Sequence, residues 1–199
     1  MPITIDGDGT ITGVSVGGLP DGIVDTDMLA ANAVSSAKLA SGAGGKILQV
    51  VQIAKTDTSS TASTSFSTIP GFSASITPSS SSNKVLVIAS LHLAGGNIII
   101  TKLQRGSTDI LLGDAATGKT QASTYTWPGS SSNGSARYGT FNYAVNYLDS
   151  PNTTSATTYS FVFRTTNTGD TVYINRTQVD NSTYNGRVAS TIHLMEVAA

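Results

Sequence analysis

Lys84-Val85-Leu86-Val87-Ile88-Ala89-Ser90-Leu91-His92-Leu93-Ala94 is the stretch that decides the fold class. Val85, Val87, Ala89, Leu91 and Leu93 share one face at period 2, as a strand with one buried side requires. The same texture continues on both sides of it. Upstream lie residues 46–55, 66–69 and 72–77, the last two divided by Pro70-Gly71. Downstream, residues 97–105 and 108–112 are spaced for a hairpin through Gly106-Ser107. Residues 138–148 place Phe141, Tyr143, Val145 and Tyr147 on one face, with Asn142 and Asn146 on the other. Residues 158–164 align Tyr159, Phe161 and Phe163, and residues 170–175 and 187–197 follow. Many short strands with frequent turn signals and no amphipathic helix after Lys46 predict an all-β fold. The expected architecture is an antiparallel β-sandwich of jelly-roll type over residues 46–199.

The texture is different before Lys46. Val24-Asp25-Thr26-Asp27-Met28-Leu29-Ala30-Ala31-Asn32-Ala33 is followed at once by Val34-Ser35-Ser36-Ala37-Lys38-Leu39-Ala40-Ser41-Gly42-Ala43. Val, Leu, Ala and Ala recur in register, and Val14 and Leu19 extend the phase. Asp25-Thr26 and Ser35-Ser36 are capping residues, so each copy reads as one or two helical turns. Helices this short do not hold themselves in water and become ordered only against partner chains or a larger surface. Val24, Leu29, Val34 and Leu39 therefore form the expected seam between chains. Residues 3–12 read as two short strands around an Asp-Gly turn, and residues 41–45 as a flexible linker. Two domains are expected: an extended N-terminal segment of short helical repeats over 1–45, and the sandwich over 46–199.

Serine and threonine make up more than a quarter of the 199 residues, whereas charged residues are only 12%. Residues 1–45 carry five Asp against Lys38 alone, and 46–199 carry ten Lys or Arg against seven acids. Neither part has the basic stripe that nucleic-acid binding needs. Cysteine is absent, which removes disulfides and thiolate metal sites. No apolar run is long enough for a membrane span, and the N-terminus reads as no secretory signal.

Gly113-Asp114-Ala115-Ala116-Thr117-Gly118-Lys119-Thr120 matches the phosphate-loop pattern, but β-branched and aromatic residues ending in Pro128 follow it instead of a helix. It is read as a loop between strands. Asp6-Gly7-Asp8-Gly9 lacks the twelfth-position Glu of a calcium loop and is read as a tight turn. His92 and His193 have no second ligand at metal spacing. Paired carboxylates and a nucleophile elbow are also missing, so the expectation is no enzyme, no catalytic residue, no metal and no cofactor. The surface candidate is the segment 125–138, which holds the only Trp. Tyr125, Trp127, Asn133, Arg137 and Tyr138 together suit glycan recognition, because sugar rings pack on aromatic faces while hydroxyls take the polar groups.

Several segments together resemble tail-fibre and related virion proteins of tailed bacteriophages, especially phages of aquatic bacteria. They are Ile5-Asp6-Gly7-Asp8-Gly9-Thr10-Ile11-Thr12-Gly13, the Val-x-x-x-x-Leu-Ala repeats, Gly45-Lys46-Ile47-Leu48-Gln49-Val50-Val51-Gln52, Ser75-Ile76-Thr77-Pro78 with Asn83-Lys84-Val85-Leu86-Val87, and Ser190-Thr191-Ile192-His193-Leu194-Met195-Glu196-Val197. The resemblance implies a homotrimer located in the virion and assembled in the host cytoplasm. Residues 1–45 would attach to another virion protein, and the β-domain would face outward toward host surface glycan. A head fibre, a capsid decoration protein and a stand-alone carbohydrate-binding module are the alternatives.

Overall fold

The computed structural model describes residues 4–5, 11–12, 34, 45–128, 136–181, 183 and 185–199. The chain divides into two compact units, Met1–Gly45 and Lys46–Ala199. In the first, β1 (Thr4–Ile5) pairs antiparallel with β2 (Ile11–Thr12), Ile5 opposite Ile11.

The second unit is all-β, two antiparallel sheets with no α-helix among the described residues. Its strands are β3 (Ile47–Lys55), β4 (Ser59–Thr61), β5 (Ser67–Ile76), β6 (Lys84–Gly95), β7 (Ile99–Arg105), β8 (Thr108–Ile110), β9 (Thr124–Thr126), β10 (Phe141–Asp149), β11 (Thr157–Thr165), β12 (Val172–Ile174) and β13 (Ser190–Val197). In sheet I, β6 takes β10 along one edge and shares the other end to end between β13 and β12. β3 then borders β13, and β4 borders β12. In sheet II, β5, β11 and β7 lie side by side, with β8 and β9 sharing the far edge of β7.

The alternation read from sequence is the alternation that packs. Val85, Val87, Ala89, Leu91 and Leu93 of β6 are buried against Tyr159, Phe161 and Phe163 of β11 and Ile69, Phe72, Ala74 and Ile76 of β5 in one core. Burying each of the Val, Leu, Ile and Phe side chains among them contributes roughly 1.5–3 kcal/mol, and this drives the two faces together.

Four local expectations need correction. Pro70-Gly71 does not separate two strands: β5 runs through it. Thr68 pairs with Val162 and Ser73 with Ser160, so four residues of β5 lie opposite Phe161 alone. This bulge lets Ile69 and Phe72, three apart, both face the core, where strict alternation would send them to opposite faces. Gly71 supplies the φ of +68°, and Pro70 is tolerated because β5 is an outer strand. Residues 136–138 form a 3-10 turn, so β10 starts at Phe141 and ends one residue later than expected, at the inward-facing Asp149. The last strand begins at Ser190, while Arg187 makes only a bridge to Arg176. Finally, β4 and β9, three residues each, carry no periodic signal and were not expected as strands.

The break between β12 and β13 is held by a buried polar cluster. Asn175, at φ +62°, donates its amide to the carbonyls of Lys55 at 2.7 Å and Asp57 at 3.0 Å. It accepts from Ser190 Oγ at 2.6 Å, and that hydroxyl accepts from the His92 amide at 2.9 Å. Asn is among the few non-glycine residues that tolerate the left-handed region, and its side chain here bonds groups that the interrupted ladder leaves open.

Glu196, 1% exposed, ties the end of β13 to the rest of the domain. Asn83 Nδ2 donates to it at 2.6 Å, Ser79 N and Oγ both at 2.7 Å, and Gln49 Nε2 at 2.6 Å. Burial pushes its carboxyl up, but the donors from Asn83, Gln49 and Ser79 outweigh burial and hold it at about 2, below its ordinary 4.5. A depressed carboxyl stabilises the fold fully above the unfolded value and loses that contribution as pH falls through the folded one. Roughly 3 kcal/mol should thus disappear between about pH 4.5 and pH 2. Urea unfolding across this window should show the loss, and Glu196→Gln should flatten it. An unchanged acid slope in the variant would refute the assignment.

Candidate functional site

The site forms where a strand too short to stand alone borders sheet II. β9 pairs with β7 through Ile99 with Thr126, Ile100 with Tyr125 and Thr101 with Thr124. Thr124 and Thr101 join their hydroxyls at 2.5 Å. The alternation turns Tyr125 away from that contact, 57% exposed, and two residues on Trp127 is 67% exposed.

The loop from β8 to β9 folds over Ile100 on the outer side of β7. The cleft so formed has a volume of about 610 Å³ and is lined by Ile100, Gly113, Asp114, Ala116, Lys119, Thr120, Gln121, Tyr125 and Thr166, among others. The loop is cross-braced. Gln121 Nε2 donates to the Gly113 carbonyl at 2.7 Å, and the Lys119 amide donates to the Ala116 carbonyl at 3.0 Å. From β11, Arg164 donates Nη2 to Thr120 Oγ1 at 3.1 Å and Nη1 to the Thr64 carbonyl at 2.8 Å. Its guanidinium lies 5.0 Å from the centre of the Phe66 ring, and Lys102 Nζ lies 4.5 Å from the same ring. Lys102 also pairs with Asp109 at 2.7 Å, and the Lys102 ammonium with the Gln104 amide holds the Asp109 carboxyl below its ordinary range.

Among the described residues, three polar side-chain groups of the cleft have no partner, the exposed Asp114 and Lys119 and the buried hydroxyl of Thr166. Asp114 and Lys119 form no ion pair among the described residues. The match to a phosphate loop at 113–120 is a strand-to-strand loop leading into β9, so no helix N-terminus gathers amide N–H groups there.

The expected glycan residues divide. Tyr125 lines the cleft; Trp127, Arg137 and Tyr138 do not. Arg137 and Tyr138 are exposed on the 3-10 turn that leads into β10 of sheet I, and Asn133 lies outside the described residues. Of the expected seam, Val24, Leu29 and Leu39 also lie outside them, whereas Val34 is at a bend and 49% exposed. Sequence reasoning missed Asp114, Lys119 and Thr166 as site residues. The first two sit in a segment read only as a connection, and Thr166 follows β11, far along the chain.

Among the described residues no three His, Asp or Glu side chains gather to hold a metal, and no helix is long and apolar enough to cross a membrane. No family model matches the chain, and no curated protein is significantly similar to it.

Proposed function

We propose that this chain is a structural protein of a bacteriophage virion, a homotrimeric short tail fibre. Its N-terminal segment anchors to the particle, and its jelly-roll β-domain faces outward to attach to host surface glycan. The observation that carries the reading is the strand order. With β3/β4, β8/β9 and β12/β13 each taken as one row, eight rows follow along the chain. Sheet I then reads 1-8-3-6 and sheet II reads 2-7-4-5. Two interlocked Greek keys wound into a jelly roll produce this layout, an architecture of viral coat and lectin domains. The step from architecture to virion is one of analogy, and the resemblance of the quoted segments supports it.

The use of the carboxylates supports a non-enzymatic role. In the β-domain, Asp57 pairs with Lys55, Asp109 with Lys102, Asp149 with Arg105, and Asp180 with Arg176 and Arg187. Glu196 is fully occupied by Asn83, Ser79 and Gln49. These groups hold strands and loops in place and leave two acids outside any ion pair among the described residues, Asp114 at the cleft and Asp170 before β12, away from it.

The test is the solution mass of the full chain by light scattering. A mass three times 20.4 kDa is expected. Leu29→Asp with Leu39→Asp should reduce it to the monomer while the far-ultraviolet signal of the β-domain stays unchanged, since a charge buried in an apolar seam costs several kcal/mol per chain. A monomeric wild-type chain would overturn the fibre reading and favour a stand-alone carbohydrate-binding module. A trimer that survives both changes would remove Leu29 and Leu39 from the seam.

A further inference from the structure

We propose that the cleft between β7, β9 and the 113–122 loop is the saccharide-binding site, with Tyr125 as its stacking platform and Asp114, Lys119 and Thr166 taking the sugar hydroxyls. The proposal deepens the attachment role inferred above by assigning it to one place on the β-domain and to one ligand class.

Size and shape come first. About 610 Å³ falls within the roughly 300–1,000 Å³ of small-ligand sites. The lining mixes apolar and polar surface, with Ile100, Ala116 and Ala122 beside Asp114, Lys119, Thr120 and Gln121. Such a wall matches a molecule whose rings have C–H faces and whose rim is hydroxyl. Tyr125 adds an exposed ring at the cleft, carried on a backbone that pairs with Ile100. A rigid aromatic face loses little conformational freedom when a ring stacks on it.

The uncommitted groups point the same way. A buried hydroxyl without a partner, as at Thr166 Oγ1, is costly unless a ligand or water completes it. A free carboxylate accepts from neighbouring hydroxyls, and a free ammonium donates to hydroxyl or ring oxygens. Asp114 and Lys119 provide one of each in the same cleft. A polyphosphate would meet the Asp114 charge and find no helix N-terminus to receive it. A purely apolar ligand would leave Asp114, Lys119 and Thr166 desolvated and unpaired. A neutral sugar satisfies all three. The braces from Gln121 to Gly113 and from Arg164 to Thr120 hold the loop ready before the ligand arrives.

The full chain, with no truncation, is tested by ligand-observed NMR against a panel of free hexoses, deoxyhexoses and N-acetylhexosamines at millimolar concentration. Saturation transfer to the ring protons of at least one sugar is expected. Tyr125→Ala should weaken binding about tenfold, as loss of one stacking face predicts. Thr166→Val, which keeps the shape and removes the hydroxyl, should weaken it roughly threefold to tenfold. Both variants should keep the wild-type melting temperature to within a few degrees. No transfer to any sugar overturns the proposal, as does binding that survives Tyr125→Ala and Asp114→Asn together. Loss of binding in Trp127→Ala with Tyr125→Ala unaffected also overturns it, moving the site to the 127–138 segment. Displacement of the sugar by ATP with magnesium would assign the cleft to nucleotides instead. A trimer without sugar binding defeats the cleft and leaves the fibre; a monomer that binds sugar defeats the fibre and leaves the cleft.

Discussion

Asp149→Ala is expected to destabilise the β-domain by roughly 2–4 kcal/mol, less than the cost of breaking a fully buried charged pair because the Arg105 side chain keeps 30% of its surface in solvent. The carboxylate is 3% exposed at the end of β10, in sheet I. Arg105 Nη1, from β7 in sheet II, donates to its two oxygens at 3.0 and 2.9 Å. The Tyr159 hydroxyl, from β11, donates to Oδ2 at 2.7 Å. Burial first, and then the hydrogen bond to Asp149, push the Tyr159 phenol well above its ordinary value, so it stays a donor throughout the working pH range. Alanine would strand a buried hydroxyl and leave the Arg105 guanidinium without its counter-charge, at the point where three strands from two sheets are tied together. For a domain of about 150 residues each kcal/mol lowers Tm by roughly 2–4 °C, so the melting temperature should fall on the order of 10 °C. Asp149→Asn, which keeps one acceptor, should lose about half as much. Thermal and urea unfolding followed by circular dichroism measure both, and a loss under about 1 kcal/mol for alanine would show that the cluster is dispensable.

Phe161→Ala should cost roughly 3–5 kcal/mol by a different mechanism. Its ring is fully buried at the centre of β11, with its centroid 5.7 Å from that of Phe72. It stands opposite the β5 bulge, where four residues occupy the space of one. Strands on either side are pinned by their ladders, so the domain cannot collapse into the vacated volume, and a cavity persists. Phe161→Leu should recover more than half of the loss, because a leucine fills much of the same space. Urea midpoints at constant slope would report the difference. An alanine variant as stable as wild type would mean that the bulge can move inward, contrary to its constrained geometry.

How much of the site could be read beforehand follows from how far each signal reaches along the chain. Tyr125 and Trp127 stood out because exposed aromatics beside a Gly/Ser segment are unusual within a few residues of sequence. Asp114 and Lys119 belong to a segment whose local pattern matches only the phosphate-loop template. Their pairing with Tyr125 depends on the 113–122 loop turning back over Ile100, which no local pattern encodes. Thr166 reaches the cleft only because β11 lies beside β7, with Arg164 opposite Ile100.

The sequence by itself determined the class of the β-domain and the faces of its long strands. Wherever one face of β6, β10 or β13 meets the core, apolar burial imposes period 2 over eight or more residues, and such a pattern is legible from one chain alone. It also marked the tight Gly106-Ser107 hairpin, because a turn of that length joins neighbours. Only the tertiary structure decided which strands pair, that β12 and β13 share one edge of β6 around the Asn175 cluster, that β5 bulges rather than breaks at Pro70-Gly71, and that a cleft opens beside Tyr125. The physical reason is range. Hydrophobic alternation is set residue by residue, whereas strand order, bulges and clefts are set by contacts between segments separated by tens of residues, whose energies exist only once the chain has closed on itself.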